Sequence, residues 1–288
     1  MKKRVAAVLC TALLSVALIL PSISASAYTL WGVTNGTNNA GFWSGGELFT
    51  VDTTTGAVSV KQSYTNLLAF GDIAVNPYGE VYVTYAPDWG GFNKLAKVNT
   101  STWQFDWSMN LPTQMNALTF VGDKLYGHAG GGSLDGLFNF SVLDGTTAPT
   151  FIGNSGFLGS DGDLAYNNLT GKLFNIYTPG AVAQFVQLDI NSGAGTLLGP
   201  FGNTAGGQQY GWGGLEFTPD GELWAGSFWD KNLYQYVAGN PVAVHNLNGK
   251  IGGTITGLSH PIPEPAFFQM GALAAMSGLG LLRLRRRS

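Results

Sequence analysis

Short alternating runs of apolar and polar residues fill the central part of the chain, from Tyr28 to Ile262. No stretch of about twelve residues there keeps the 3.6-residue period of an amphipathic helix. The runs are separated by clusters of Gly, Asn, Pro and Asp, which are the residues that favour turns. This pattern predicts a domain built from β-strands.

One pair of strands recurs four times along this region. An apolar strand is followed by a tight turn and by a second strand that begins with an aliphatic and an aromatic residue, as in LTFVGDKLYG. A third and a fourth strand pattern follow each copy. The anchors of the four first strands, spaced by 45, 46 and 51 residues, are Ile73, Leu118, Leu164 and Leu215. Four antiparallel strands at this spacing are typical of a β-propeller blade.

The two ends of the domain supply a fifth blade. Residues 28–33 (YTLWGV) match a second strand, with Leu30 and Trp31 in the aliphatic–aromatic positions, but no first strand precedes them. Residues 254–259 (TITGLS) have the first-strand pattern and no second strand after them. We therefore predict an all-β, five-bladed β-propeller at residues 28–260, closed by pairing of its N- and C-terminal strands. A glycine-rich β-sandwich is the alternative, and it would not require a regular repeat.

The N-terminal segment has the three parts of a secretory signal. Three basic residues at positions 2–4 precede the apolar run Val5–Leu20, and Ala25-Ser26-Ala27 forms a cleavage site for signal peptidase. Residues 1–27 are therefore predicted to be a signal peptide. Its removal also removes Cys10, the only cysteine, so the mature chain has no disulfide and no thiolate.

The C-terminal segment, residues 261–288, also has three parts. Pro263-Glu264-Pro265 precedes seventeen uncharged residues, 266–282. As a helix these residues would reach about 26 Å, at the short limit for crossing a bilayer. The arginines that follow would remain on the cytoplasmic side, and they are Arg283, Arg285, Arg286 and Arg287. The segment is predicted to be a C-terminal anchor helix in the inner membrane.

This order of parts resembles the PEP-CTERM sorting signal of Gram-negative bacteria. The resemblance implies that an exosortase, a membrane protease, cuts the chain at Pro263-Glu264-Pro265. It further implies that anchoring through 266–282 is transient and that the product reaches the cell envelope or the outside. Proteins with this signal often accompany exopolysaccharide production. The resemblance covers only about 27 residues and carries nothing about the domain before them.

The charge of the mature chain excludes one class of partner. Residues 28–262 contain seven lysines, no arginine and sixteen acidic residues, a formal charge of −9. Nucleic-acid binding requires clustered basic residues that release counterions from phosphates. We therefore expect no nucleic-acid partner.

The longer loops of the predicted propeller all leave one face. These are the loops between second and third strands and between blades, and they contain Trp43, Trp89, Trp212 and Trp229. Indole rings beside Asn, Asp and Gln suit a sugar, because they combine a stacking surface with hydrogen bonds. We predict that these rings bind polysaccharide or a surface partner. The alternative is that each ring packs on a neighbouring blade.

Acidic residues precede two of the anchors and would line the central channel. Asp72 and Asp163 occupy equivalent positions in the repeat, and Asp161 lies nearby in the sequence. Carboxylates in this arrangement are a candidate Ca²⁺ site, and the sequence indicates no other cofactor. The other interpretation is that an Asp at a strand entrance caps a turn.

The sequence contains little that indicates catalysis. It has no pair of histidines at metal-ligand spacing and no G-x-S-x-G motif. We therefore expect an exported, non-catalytic envelope or extracellular-matrix protein. One alternative is a secreted hydrolase or lyase that uses the channel carboxylates. The other is a surface protein with a purely structural role.

Overall fold

The structure of the chain is a computed structural model. It describes residues 27–36, 45–67, 69–88, 91–130, 135–157, 162–178, 182–204 and 211–261. Over these ranges every regular element is a β-strand, and no helix has the length and hydropathy that a membrane span needs. The predicted signal peptide, except Ala27, and the predicted sorting signal, except Pro261, lie outside the described residues.

The described residues form twenty strands. In chain order they are β1 (Thr29–Asn35), β2 (Gly46–Asp52), β3 (Val58–Tyr64), β4 (Ala69–Val75), β5 (Val81–Ala86), β6 (Lys94–Val98), β7 (Phe105–Asn110), β8 (Met115–Val121), β9 (Lys124–Ala129), β10 (Gly136–Phe140), β11 (Thr150–Gly153), β12 (Leu164–Asn167), β13 (Lys172–Tyr177), β14 (Gln184–Leu188), β15 (Gly195–Pro200), β16 (Trp212–Phe217), β17 (Leu223–Ser227), β18 (Asn232–Val237), β19 (Asn240–Asn246) and β20 (Thr254–Ser259).

These strands form five separate antiparallel sheets of four strands each, which are the blades of a propeller. Blade 1 has the order β20-β1-β2-β3. Blades 2, 3, 4 and 5 are β4 to β7, β8 to β11, β12 to β15 and β16 to β19. The first strand of each order is the inner one, and inner strands of neighbouring blades contact one another. The predicted five-bladed propeller is confirmed, because a sandwich would have two stacked sheets.

The predicted closure of the ring is also confirmed. β20 pairs antiparallel with β1, and this register places Gly257 opposite Val33, Leu258 opposite Gly32 and Ser259 opposite Trp31. The last strand of the domain thereby completes the blade that the first strand begins. The inner edge of β1 is thus paired by a segment more than two hundred residues away in the sequence, which removes an open sheet edge.

The recurring aliphatic–aromatic pair explains how the blades pack together. Successive side chains of a strand point to opposite faces of its sheet, so the two residues of each pair enter different layers between blades. Val81 packs in the layer between blades 1 and 2, and Tyr82 packs in the layer between blades 2 and 3. Leu173 and Phe174 divide in the same way between the layers on either side of blade 4. The hydrophobic core therefore lies between the blades.

Candidate functional site

The predicted loop-rich face carries one exposed tryptophan among the described residues. Trp229 lies in the turn after β17, and its side chain is 55% exposed. The turn is held by Ser227, whose Oγ accepts hydrogen bonds from the backbone N–H groups of Trp229 and Asp230, both at 3.1 Å. Phe228 packs edge-on against the indole, with ring centroids 5.8 Å apart. The exposed ring is therefore part of an ordered turn.

Trp212 has a different environment. Its side chain is only 2% exposed, and its Nε1 donates a hydrogen bond of 3.0 Å to the carbonyl oxygen of Gly202. The indole packs edge-on against Phe201 and Tyr234 at 5.0 and 4.9 Å. This burial removes Trp212 from the rings that can stack on a ligand. Trp43, Trp89 and Asp161 lie outside the described residues.

The channel carboxyl groups lie on β4 (Asp72) and immediately before β12 (Asp163). The Asp72 carboxyl accepts a hydrogen bond of 2.6 Å from the N–H of Ile73 in its own blade and another from the N–H of Leu118 in blade 3. A Cβ on Gly257 would lie 2.1 Å from Asp72 Oδ1. The absence of a side chain at position 257 therefore leaves the space that the Asp72 carboxyl occupies.

The Asp163 carboxyl accepts N–H groups from the other three inner strands, β12, β16 and β20. Its Oδ1 accepts from the N–H of Leu164 at 2.6 Å, and its Oδ2 accepts from the N–H groups of Leu215 and Leu258 at 2.9 and 3.3 Å. All four carboxyl oxygens of the two residues thus accept backbone N–H groups. The five donors occupy equivalent positions in the five inner strands and are Ile73, Leu118, Leu164, Leu215 and Leu258.

The two carboxyl groups also interact with each other. Both side chains are completely buried, and burial raises the pKa of Asp163 to about 7. Burial and the neighbouring Asp163 raise the pKa of Asp72 well above its usual value. The raised pKa favours the protonated form of Asp72, which can donate a hydrogen bond to Asp163. We refer to Asp72 and Asp163 as the carboxyl pair.

A second polar layer lies one step along the inner strands. The Glu216 carboxyl is buried and accepts from the backbone N–H groups of Phe217 and His260, and burial followed by the charge of Asp163 raises its pKa. Ser259 Oγ accepts from the N–H of Val75 at 2.9 Å. Glu216 was not among the predicted site residues, although an acidic residue within the apolar run LEF was a usable signal.

The carboxyl pair has the chemistry of a structural clamp. Its oxygens are occupied by N–H donors that the inner edges of the blades cannot pair within their own sheets. A cation would have to displace these donors and ionise Asp72. Within the described ranges, no group of three or more His, Cys, Asp or Glu residues is arranged to hold a metal ion. The geometry thus fits the joining of blades better than it fits Ca²⁺.

His128 is a further buried polar residue that the sequence pattern did not single out. It lies on β9 and is 1% exposed, and neither ring nitrogen has a hydrogen-bond partner. Burial lowers the pKa of its imidazole to about 4, so the ring is neutral at physiological pH. Its neighbours across the sheet are Ala117 and Leu137. The imidazole thus lies in an apolar layer, where no hydrogen bond replaces those that its nitrogens would make with water.

Comparisons with known proteins support the fold. No family model and no curated protein matches the chain. A chain of the nidogen/laminin complex matches with a TM-score of 0.52 and 8% identity, covering 83% of this chain and 100% of that one. The chain is a β-propeller. At this identity, the likeness extends to the fold alone.

Two further solved structures are also similar to this chain. A suggested gluconolactonase has a TM-score of 0.46 and 14% identity, with 81% of this chain and 84% of that chain covered. Virginiamycin B lyase from Staphylococcus aureus has a TM-score of 0.41 and 12% identity, with 73% and 71% covered. These scores are too low to transfer an activity or an active site.

Proposed function

We propose that this protein is an exported, exosortase-processed component of the cell envelope or extracellular matrix of a Gram-negative bacterium. Its loop-rich face binds polysaccharide without catalysing a reaction. Export follows from the signal peptide at residues 1–27, and release follows from cleavage at Pro263-Glu264-Pro265 after transient anchoring through 266–282. The C-terminal signal supports the proposed destination of the protein, and the surface of the propeller supports the proposed binding.

The observation that carries the binding function is the exposed indole of Trp229. Large aromatic side chains are mostly buried in globular proteins, and among the described residues only Tyr78 is an aromatic with greater exposure. The turn that holds Trp229 is ordered by Ser227, so little conformational entropy is lost when a ligand stacks on the ring. A sugar ring supplies the flat apolar face that such an indole binds, while its hydroxyls bond to neighbouring polar groups.

The environment of the carboxyl pair disfavours the alternative of a hydrolase or lyase. A general acid or base must come within hydrogen-bonding reach of its substrate. Asp72 and Asp163 are completely buried, and their oxygens already accept backbone N–H groups from all five blades. A substrate could reach them only if the inner strands separated.

The binding proposal is tested on a glycan array with the exported protein and with Trp229→Ala. We expect the substitution to weaken polysaccharide binding about tenfold, the factor that ~1.4 kcal/mol of lost stacking represents. Phe151→Ala is the matched control, because Phe151 is another exposed aromatic, at 43%, on the outer strand β11. If Trp229→Ala changes neither glycan binding on the array nor retention of the protein in the matrix, the loop-rich face has no sugar-binding role. That result would support the alternative of a purely structural protein.

The sorting proposal needs a separate measurement. Replacing Glu264 by Ala should leave export intact and block release, so that a precursor accumulates in the inner membrane. Fractionation and the mass of the released chain report both steps. Release of a product of normal mass from the Glu264→Ala variant would contradict processing at the triplet.

A further inference from the structure

The face opposite the loop-rich face carries a polar groove that lies on blade 2 and extends to the edge of blade 3. We call this the turn face, because the tight turns between first and second strands leave it. Two adjacent depressions, of about 290 and 360 Å³, share Tyr78, Glu80 and Lys97 in their walls. We call the two depressions together the Tyr78 groove. Both volumes lie near the lower end of the range for small-molecule binding sites.

The aromatic ring in this groove is exposed because a rigid turn holds it there. Tyr78 is 70% exposed, the highest value among the large apolar and aromatic side chains of the described residues. Asn76 Oδ1 accepts hydrogen bonds from the backbone N–H groups of Tyr78 and Glu80 at 3.0 and 2.9 Å. Gly79 closes the turn with φ of 79° and donates to the carbonyl oxygen of Asn76. The backbone that carries the ring is therefore held in an ordered turn.

The wall beside Tyr78 contains a preorganised charged network. Glu80 accepts from Lys97 Nζ at 2.6 Å, from Asn76 Nδ2 at 2.7 Å and from the Tyr82 hydroxyl at 3.2 Å. The hydrogen bond from Lys97 is the main cause that lowers the pKa of Glu80. Lys97 Nζ also lies 5.9 Å from the centroid of the Tyr82 ring. In the part of the chain that the structure describes, Glu80–Lys97 is the only salt bridge.

This network leaves hydrogen-bonding capacity for a ligand. An ammonium group has three donors, and the Glu80 carboxylate uses one of those on Lys97. The first depression adds the hydroxyl groups of Thr100 and Ser101. A polar wall next to an exposed phenol ring offers stacking together with directional hydrogen bonds. Ligands that need both are saccharides, because sugar rings have apolar faces and a rim of hydroxyls.

The charges of the groove narrow the class of saccharide. Three carboxylates, from Glu80, Asp106 and Asp123, face two ammonium groups, from Lys97 and Lys124. Because the acidic groups are in excess, a polymer of acidic sugars would be repelled. A neutral saccharide segment would not be repelled.

We propose that the Tyr78 groove is a second polysaccharide-binding site, which takes a neutral segment. Tyr78 stacks on one sugar ring, and Lys97 donates to its hydroxyls. The inference deepens the proposed function, since it assumes that polysaccharide is the partner of this protein. With one site on each face, a single propeller could connect two chains, and the second attachment would become effectively intramolecular.

The chain offers a closely matched control for this site. Leu169 occupies the corresponding turn of blade 4, where Asn167 Oδ1 accepts from the N–H groups of Leu169 and Thr170 at 3.0 and 3.1 Å. It is 67% exposed, nearly as much as Tyr78. Leu169→Ala therefore removes a similar area of exposed apolar surface from the same kind of turn, outside the groove.

The test compares the exported protein with Tyr78→Ala, Tyr78→Phe and Leu169→Ala on an array of neutral and acidic oligosaccharides. We expect Tyr78→Ala to lose about tenfold in affinity for a set of neutral glycans. The Phe variant retains the ring and should retain binding, as should Leu169→Ala. If no neutral glycan binds in a Tyr78-dependent way, or if the Tyr78-dependent glycans are acidic, the inference is overturned.

Trp229→Ala, measured in parallel, separates this inference from the proposed function. If only Trp229→Ala weakens binding, the loop-rich face is the binding face and the second site does not exist. If only Tyr78→Ala weakens binding, the groove is the site and the proposed role of the loop-rich face fails. Additive losses in the double variant support two independent sites.

Discussion

The carboxyl pair makes a quantitative prediction about stability through the variant Asp163→Ala. The substitution removes the acceptor of three buried N–H groups, those of Leu164, Leu215 and Leu258. Two of these hydrogen bonds are shorter than 3.0 Å, and the third, to Leu258, is 3.3 Å and is left out of the sum. A buried donor left without a partner costs about 1–3 kcal/mol, so the two short bonds give a loss of ~2–6 kcal/mol.

The pH of the measurement matters because ionisation of Asp163 opposes this loss. The pKa of Asp163 is about 7 in the folded protein, so at about pH 5 the buried group is protonated. Substitution then removes hydrogen bonds without removing a buried charge. At higher pH the wild type bears the additional cost of ionising Asp163, and the apparent effect of the substitution becomes smaller.

Urea denaturation at about pH 5, followed by tryptophan fluorescence, measures the effect. With a slope of ~3 kcal/mol per molar urea, the midpoint should fall by about 0.7–2 M. Asp189→Ala is the matched control, because Asp189 also accepts three hydrogen bonds, two from backbone N–H groups and one from the Ser192 hydroxyl, but in an exposed turn. If Asp163→Ala shifts the midpoint no more than Asp189→Ala does, the carboxyl pair does not hold the inner strands together.

Three further predictions follow from the buried groups. The pKa of Asp163 is raised in the folded state, so its contribution to stability is complete below the ordinary carboxyl pKa of 3.8 and falls as pH rises toward about 7. The urea midpoint of Asp163→Asn should therefore decline less than that of the wild type between pH 4 and pH 7, and an equal decline would contradict the raised pKa. His128→Leu removes two buried nitrogens that lack partners, so we expect the thermal midpoint to rise by a few degrees; a lower midpoint would show that the imidazole contributes to folding. Gly257→Ala should lower the urea midpoint, because its Cβ would lie 2.1 Å from Asp72 Oδ1 and 2.7 Å from Asp72 Cα; an unchanged midpoint would mean that the inner strands can move apart at little cost.

The blades and their closure could be predicted from the sequence because the signals are local and repeated. Every blade must present an aliphatic residue to one neighbour and an aromatic residue to the other, so pairs such as Val81-Tyr82 recur at a regular spacing. The closing strand 254–259 was predictable for the same reason. It carries a first-strand pattern that has no partner within its own part of the chain.

The roles of individual polar and aromatic residues depended on contacts between distant segments. Trp212 and Trp229 lie in neighbouring segments of blade 5, and nothing in the local sequence distinguishes them. Trp212 is 2% exposed because Phe201 and Tyr234 pack against it, whereas Trp229 is 55% exposed. Burial of a side chain is set by which other segments reach it, and this information is not local.

The sequence alone thus determined the strand pattern, the number of blades and the equivalence of Asp72 and Asp163 in the repeat. Only the tertiary structure decided that these two carboxyl groups meet in the channel and accept N–H groups from all five inner strands. The physical reason is that an inner strand has no partner on its channel side, and its free N–H groups must find acceptors across the ring. Which side chains supply those acceptors depends on how the blades converge, and this is a property of the closed ring as a whole.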